Sequence, residues 1–179
     1  MVSYPPRIII SPEFLRLEYQ RVWRKVWQVA CREEELPRVG DFVTYDIGDQ
    51  SVIVVRVAPD ELRAYHNVCL HRGRRLPQGC GKATKFHCNY HGWQWGLDGR
   101  NLRVIDKHDW GAATCVSDES LRLREVLVDT WGGFVFVNLD LQAQPLAAFR
   151  TTICPPQSSG IGRCISLSVR RCGLWGWMA

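Results

Sequence analysis

The sequence predicts a mainly β protein: an antiparallel β-sandwich or barrel with one N-terminal helix and two loops that contain cysteine and histidine. From residue 40 onward, apolar side chains recur at every second position in several short runs. Glycine-containing turns separate these runs, and Asp98-Gly99 is a strong hairpin signal. Short alternating strands joined by tight turns are typical of sandwiches and barrels.

The helix is predicted over about residues 12–29. Ser11 provides a hydroxyl cap, Pro12 suits the first helical position, and Glu13 places an acid in the first turn. Apolar residues then recur at helical spacing, and the tryptophans among them are expected to pack in the core. The predicted stripe contains Leu15, Tyr19, Val22, Trp23, Val26, Trp27 and Ala30.

The strands are predicted where the period of the apolar residues changes from the helical value to two. A further alternating segment precedes the turn Trp131-Gly132-Gly133, and another follows it. Both would pair across that turn as a hairpin. The predicted strands cover residues 43–47, 53–57, 62–68, 93–97, 126–128 and 134–139.

Composition narrows the class of protein. The chain has 179 residues, 46% of them apolar, which is enough for one domain with a real core. Its last 39 residues hold four of the 23 basic side chains and none of the 18 acidic ones. The first 140 residues therefore hold 19 basic and 18 acidic side chains. Because this main part is nearly neutral, charge predicts no nucleic-acid face.

The cellular compartment is predicted from the apolar runs, the N-terminal residues and the cysteine content of the sequence. No apolar run approaches the length of a membrane span, and the start lacks the features of a signal peptide. We therefore expect a cytoplasmic protein without a membrane partner. Eight cysteines in such a chain favour metal ligation or reduced thiols over disulfides.

Two short motifs carry the chemistry. Cys69 and His71 lie just after a predicted strand, and Cys88 and His91 lie just before another. Tetrahedral zinc would accept two thiolates and two imidazoles, although zinc motifs usually pair like ligands within one loop. A Rieske [2Fe–2S] cluster instead takes two thiolates on one iron and two imidazoles on the other. One ligand of each kind per loop favours the cluster and leaves zinc as the alternative.

These motifs, with the segments around them, resemble the Rieske domain of aromatic-ring-hydroxylating oxygenase large (α) subunits. The resemblance covers about residues 10–149 and includes "HNVCLHRG", "YHGWQWGLDG" and "WGGFVFVNLD". It departs at Asn89, where many members have proline. It implies that Cys69 and Cys88 bind the inner iron and that His71 and His91 bind the outer iron. The residues expected to surround the cluster are Arg72, Gly73, Tyr90, Gly92 and Trp93.

For Tyr90 and Trp93, simple packing is as good an interpretation as tuning of the cluster. The imidazoles would present their free edges outward, which makes them the port for electrons and couples reduction to their protonation. Respiratory Rieske proteins join the two loops by a disulfide, whereas here Arg72 to Arg74 and Tyr90 fill the comparable positions. We expect no such disulfide here. Rieske centres have midpoint reduction potentials of about −150 to +300 mV, and we expect the potential of this cluster to lie in the lower part of that range.

Other candidate residues are expected to have structural roles. His66 and His87 are interpreted as ordinary strand residues, and Cys31, Cys80 and Cys115 as buried thiols. His108 lies between two aspartates, which suggests a metal site, but a solvated loop is the better interpretation. The two aspartates are Asp106 and Asp109.

The resemblance implies that electrons pass to a mononuclear Fe(II), held by two histidines and one carboxylate in a separate catalytic domain. No ligand of that iron can be assigned here, because no histidine follows His108 and no acid follows Asp140. We therefore expect an incomplete α subunit, whose residues from 150 onward come from a shifted frame or an aberrant end. The expected division is 1–38, a helical segment; 39–140, the Rieske domain; and 141–179, an atypical tail.

Three functions are consistent with these residues. The first is an oxygenase large-subunit fragment that relays electrons and does not hydroxylate alone, so no catalytic residue is assigned. The second is a stand-alone Rieske ferredoxin, and the third is a zinc-stabilised β binding module. For the first, the resemblance implies a ferredoxin or a flavin and iron–sulfur reductase as electron donor, a homotrimer, and a small β subunit.

Overall fold

The computed structural model describes residues 11–105, 107 and 117–153. Its first helix, α1 (Pro12–Glu18), continues as a π-helical turn (Tyr19–Trp23), and α2 (Leu146–Ile153) closes the described part. Two short 3₁₀ turns cover Glu33–Glu35 and Glu119–Leu121. The strands are β1 Gln28–Arg32, β2 Asp41–Ile47, β3 Gln50–Ala58, β4 Glu61–His66, β5 Cys80–Lys82, β6 Lys85–His87, β7 Gln94–Gly96, β8 Asn101–Arg103, β9 Glu125–Trp131 and β10 Phe134–Asn138.

The strands form two antiparallel sheets, which confirms the predicted mainly β fold. The large sheet has seven strands in the order β1-β10-β9-β4-β3-β2-β5, and the small one has three in the order β6-β7-β8. Each predicted strand corresponds to an observed one, and the hairpin at Asp98-Gly99 joins β7 to β8. The loop after β4 and the loop between β6 and β7 contain the predicted metal-binding motifs.

Strand β3 separates two cores, because it is buried on both faces. Val52 and Val54 point to one core and Ile53 and Val55 to the other, and all four side chains are fully buried. This explains the uninterrupted apolar run from Val52 to Val55 within β3. Ile53 and Val55 face the core that contains the two motif cysteines; this cysteine-containing core also holds Tyr65, Leu76, Phe86, Trp93, Trp95, Leu121 and Leu123.

The second core lies inside the curl of the large sheet. Buried side chains from six strands meet there, among them Cys31 of β1 and Val43 of β2. Tyr45 of β2 donates a hydrogen bond to Gln28 of β1 over 3.2 Å, so the two strands approach each other across the curl. The curled sheet forms a rigid base, from which β3 and β4 present the cysteine-containing core.

The helix starts where the sequence predicts, but it ends early. The Phe14 N–H lies 3.5 Å from the Ser11 side-chain oxygen at the N-terminal cap, and Pro12 occupies the first turn. The prediction of helix up to residue 29 is wrong, because Gln28–Arg32 forms strand β1 and pairs with β10. The ladder to β10 overrides the helical spacing of the apolar residues, as tertiary pairing often overrides local preference.

The predicted core role of the two helical tryptophans holds for one of them. Trp27 is buried, and its indole N–H donates to the Gln144 carbonyl over 2.9 Å, which ties the N-terminal segment to the chain before α2. Trp23 is 42% exposed, and Leu15 is 61% exposed. Helix α1 buries none of its side chains, so its apolar stripe does not pack into either core.

The division into residues 1–38, 39–140 and 141–179 remains a prediction. Strand β1 lies before the first boundary and is hydrogen-bonded within the large sheet. In the predicted tail, α2 extends to Ile153, and residues from 154 lie outside the described part. None of the helices in the described residues is long and apolar enough to cross a membrane.

We expect Leu36→Ala to lower the free energy of unfolding by about 2–5 kcal/mol, because Leu36 is fully buried and its truncation leaves a cavity in the second core. Urea denaturation of the full chain measures this change. Leu102→Ala is the matched control: Leu102 is 58% exposed on β8, so its truncation should change stability by less than about 0.5 kcal/mol. Equal losses in the two variants would contradict the assignment of the core.

Candidate metal centre

The first motif follows directly on strand β4. Cys69 lies three residues after the end of β4, and its N–H donates to the Arg74 carbonyl over 2.7 Å. The Gly73 N–H donates back to the Cys69 carbonyl over 2.9 Å. These two bonds close a tight turn, with His71 at its exposed tip.

The second motif forms the same turn between β6 and β7. The Cys88 N–H donates to the Trp93 carbonyl over 2.9 Å, and the Gly92 N–H donates to the Cys88 carbonyl over 2.9 Å. In both loops the cysteine therefore bonds to the residue five positions later, and a glycine four positions later bonds back. Two separate stretches of sequence thus present a cysteine and a histidine in matching frames.

The matching glycines make these turns possible. Gly73 and Gly92 both have φ of +71°, a left-handed conformation that other residues adopt only with strain. At Gly92 an added Cβ would also lie 2.6 Å from the end of the Ile105 side chain, whereas at Gly73 the space is open. Backbone conformation thus favours glycine at both positions.

The two cysteine side chains lie side by side beneath the loops. Both are almost fully buried, with 2% of Cys69 and 1% of Cys88 exposed, and their thiols are within hydrogen-bonding distance. Burial raises the pKa of the Cys69 thiol, and the adjacent Cys88 adds to this effect. The backbone N–H groups of His71 and Arg72 point at the Cys69 sulfur and act in the opposite direction.

The Cys88 thiol has the opposite net shift. Burial alone would raise its pKa, but the backbone N–H groups of Tyr90 and His91 donate to its sulfur and help to lower the pKa below the usual value for cysteine. The nearby Arg74 acts in the same direction. Each loop therefore directs two N–H groups at its own sulfur, an arrangement that favours negatively charged sulfur.

The two imidazoles lie above the sulfurs and near the surface. The ring centroids of His71 and His91 are 4.5 Å apart, and the ring planes meet at 64°. Trp93, buried below them, stacks on His71 at a centroid distance of 5.1 Å and an interplanar angle of 6°. The ring centroids of Tyr90 and His91 are 3.8 Å apart. Partial desolvation, followed by the neighbouring His71 and Arg72, lowers the pKa of His91.

The arrangement suits a group with two distinct metal positions. Two soft thiols lie inside and two imidazoles outside, and N–H donors point at the sulfurs, which a Rieske [2Fe–2S] cluster requires. A single zinc ion needs four donors gathered at one point. Among the described residues, no three or more His, Cys, Asp or Glu side chains are gathered closely enough to hold one ion.

The other candidate histidines and cysteines are distributed as follows. His66 and His87 end strands β4 and β6, which confirms their interpretation as strand residues. Cys31 is buried as predicted, and burial, with Glu35, raises its pKa to about 12. The prediction for Cys80 is wrong: it lies exposed on β5, because this short strand pairs along one side only, at the edge of the large sheet.

The described cysteines form no disulfide with one another. The residue that departs from the family, Asn89, accepts or donates a hydrogen bond with the His87 ring over 3.1 Å. Four further residues of interest lie outside the described part of the chain: Asp106, His108, Asp109 and Cys115.

Sequence reasoning missed Asn67, which anchors the first loop. This side chain is 3% exposed, and its amide donates to the Ser51 hydroxyl over 3.1 Å and to the Pro77 carbonyl over 2.9 Å. Its oxygen accepts the Leu76 N–H over 2.8 Å. A polar residue within a predicted strand, two positions before Cys69, was the available signal, since such a residue must find partners when buried.

Comparison with known proteins agrees with this geometry. Residues 26–109 match the family model described as Rieske [2Fe-2S] domain. The chain is 40% identical over 136 residues to the anthranilate 1,2-dioxygenase large subunit of Acinetobacter baylyi, covering 74% of this chain and 28% of the relative. It is 36% identical over 152 residues to the glycine betaine monooxygenase oxygenase subunit of Chromohalobacter salexigens, covering 84% and 33%.

Solved structures with the same fold include naphthalene 1,2-dioxygenase, with a TM-score of 0.72 at 32% identity, covering 80% of this chain and 32% of that one. A quaternary ammonium Rieske monooxygenase has a TM-score of 0.75 at 27% identity, covering 82% and 42%. The fold and these matches define a protein with a Rieske [2Fe–2S] domain.

More particularly, the chain is similar to the N-terminal Rieske part of Rieske-type oxygenase large subunits. It spans 28% of the length of one matched large subunit and 39% of another.

We expect Asn67→Ala to destabilise the first loop, because the buried Leu76 N–H would lose its acceptor at a cost of about 1–3 kcal/mol. Hydrogen exchange of the peptide covering residues 67–79, together with urea denaturation, measures the effect. Thr44→Val is the control, since Thr44 accepts the Gly79 N–H at the exposed end of the same loop, where water can replace it. If Thr44→Val accelerates hydrogen exchange as much as Asn67→Ala does, burial of the Asn67 hydrogen bonds is not what stabilises the first loop.

Proposed function

We propose that Cys69, His71, Cys88 and His91 hold a Rieske [2Fe–2S] cluster, and that the chain uses it to relay single electrons within an oxygenase system. The observation that supports this most directly is the pairing of two adjoining buried thiols with two neighbouring surface imidazoles. Two loops of the same internal turn present these side chains, and both loops lie within the residues that match the Rieske family model.

When bound, the cluster supplies a centre that gains and loses one electron. The residues of the chain do the rest. The N–H groups of His71 and Arg72 donate to one sulfur, and those of Tyr90 and His91 donate to the other, so backbone donors favour negative charge on both sulfurs. The cysteine-containing core around Trp95 excludes water from the sulfurs.

The imidazoles provide the exposed side of the centre. Stacking on the buried Trp93 holds the His71 ring in one orientation, and Tyr90 restricts the ring of His91. Because the two sulfurs are buried and the imidazole edges are accessible, electrons enter and leave through the histidines. Imidazoles at the surface in this way suit electron transfer to and from a partner protein.

The partner oxygenase is of the kind named by the relatives. Those relatives include a dioxygenase of an aromatic acid and a monooxygenase of glycine betaine, so we propose the relay role rather than one substrate. The chain has no histidine after His108 and no carboxylate after Asp140. Ligands for a mononuclear iron, with two histidines and one carboxylate, would therefore have to come from outside residues 141–179.

The test is to reconstitute the full chain without oxygen and to determine iron, sulfide and the electron paramagnetic resonance spectrum. We expect about two irons and two sulfides per chain and a Rieske-type signal after reduction. Cys69→Ser and Cys88→Ser should lose the cluster. The matched control, Cys80→Ser, changes an exposed cysteine on the edge strand and should load fully.

Replacement of the outer ligands separates a Rieske centre from other iron–sulfur clusters. His71→Cys or His91→Cys should either abolish the Rieske signal or convert it to that of an all-cysteine cluster, because imidazole ligation distinguishes the two. A colourless protein that holds one zinc per chain would overturn the proposal and support the zinc-stabilised module.

A further inference from the structure

We propose that Arg72 and Arg74, which we call the arginine rim, form the docking site for an acidic electron-transfer protein. This inference rests on the proposed function, because it assumes that electrons pass through the imidazoles of His71 and His91. It adds the chemistry of the partner and the residues that recognise it.

The first observation is the charge of the segment that carries both motifs. Residues 62–97 contain six basic side chains and no Asp or Glu. With 18 acids in 179 residues, a segment of this length would contain three or four at the average frequency. The loops that surround the imidazoles therefore have no carboxylate of their own to balance their arginines.

The second observation is the placement of the two arginines. Both are exposed, and among the described residues neither is in an ion pair. Arg72 directly follows His71, whose ring centroid lies 4.5 Å from that of His91, and Arg74 lines the same groove as Asn89 of the second loop. By contrast, Arg75 is neutralised by Asp46 over 2.9 Å and is not part of the rim.

The third observation is a concave surface beside the rim. A groove of about 570 Å³ lies between the two loops. Arg74 and Gln78 line it from the first loop, Asn89 from the second, and Phe42 from β2. A partner that presents carboxylates to the rim can place a protruding loop in this groove, which Arg74 of the rim lines.

The physical effect of the rim is steering. Unbalanced charge beside a reactive surface raises the rate of encounter with an oppositely charged partner by about 10–10³-fold, and salt screens the effect over a Debye length of about 10 Å at 0.1 M. The basic area is compact, whereas nucleic-acid binding needs an extended basic face. A small acidic redox protein therefore fits the rim better than a polyanion does.

The first experiment measures binding. The probe is an acidic plant-type [2Fe–2S] ferredoxin, and its Kd for the cluster-loaded full chain is determined by calorimetry at 20 mM and 300 mM salt. We expect Arg72→Glu/Arg74→Glu to weaken binding at least tenfold at low salt, and salt to weaken binding to the unaltered chain. The control is Arg16→Glu/Arg21→Glu on α1 and its π-helical extension, which makes the same change in net charge on a different element of the chain.

This control separates the local rim from the overall positive charge of the chain. It should change the Kd by less than about twofold, because steering depends on charge close to the contact. Equal losses in the two double variants, or a Kd that salt does not alter, would overturn the proposal. Tighter binding of duplex DNA than of the ferredoxin would also overturn it, in favour of a polyanion site.

The second experiment follows electron transfer. One electron passes from the reduced ferredoxin to the oxidised centre, so the ferredoxin is oxidised and the chain is reduced, and the second-order rate should fall with added salt. Reoxidation of the reduced chain by the basic protein cytochrome c, which takes one electron to its ferric haem, should instead accelerate with salt. The same salt dependence for both partners would contradict the rim.

Loading of the cluster keeps the two proposals distinguishable. If the unaltered chain takes up no iron and sulfide, the proposed function fails and docking is not at issue. If all variants show the same electron paramagnetic resonance signal and only the rim variant loses affinity, docking is supported. Arg74→Gln, which removes charge without reversing it, gives the same test if the double variant loads poorly, with an expected loss of at least threefold.

Discussion

The contact between the buried thiols of Cys69 and Cys88 is the interaction on which the rest of the structure depends. Cys69 lies in the loop after β4 of the large sheet and Cys88 in the loop between β6 and β7 of the small sheet, so neither sheet alone can bring them together. The cysteine-containing core achieves this, because β3 and β4 of the large sheet pack against the small sheet and meet around Trp95. Its indole N–H donates to the Leu121 carbonyl over 2.8 Å, so this buried donor is satisfied.

The thiols and the imidazoles of the site lie at different depths in the protein. The sulfurs lie in the core, where the backbone N–H groups of their own loops favour their charged form, and the imidazoles lie at the surface, where partners can reach them. Tight turns with a left-handed glycine produce this order, because they return the chain within five residues. The arginine rim belongs to the same outer layer, so the loop residues that frame the site also determine its charge.

Prediction from sequence succeeded where local pattern and burial agree. The alternating runs became strands, and the Asp98-Gly99 signal became a hairpin. It failed over residues 24–29, where helical spacing of apolar residues continued into a strand that β10 pairs with. It also failed for Cys80, because an edge strand buries less of its surface than a central one, and position within a sheet cannot be read from three residues.

The sequence by itself determined the four candidate ligands and the kind of group they suit, since the choice of thiolates and imidazoles and their spacing within each loop are local properties. It also determined the glycines that the turns need. Only the tertiary structure decided that Asn67 anchors the first loop and that two exposed arginines of that loop have no acidic partner in the described residues. These features arise from contacts between segments far apart in the chain, so no local pattern specifies them.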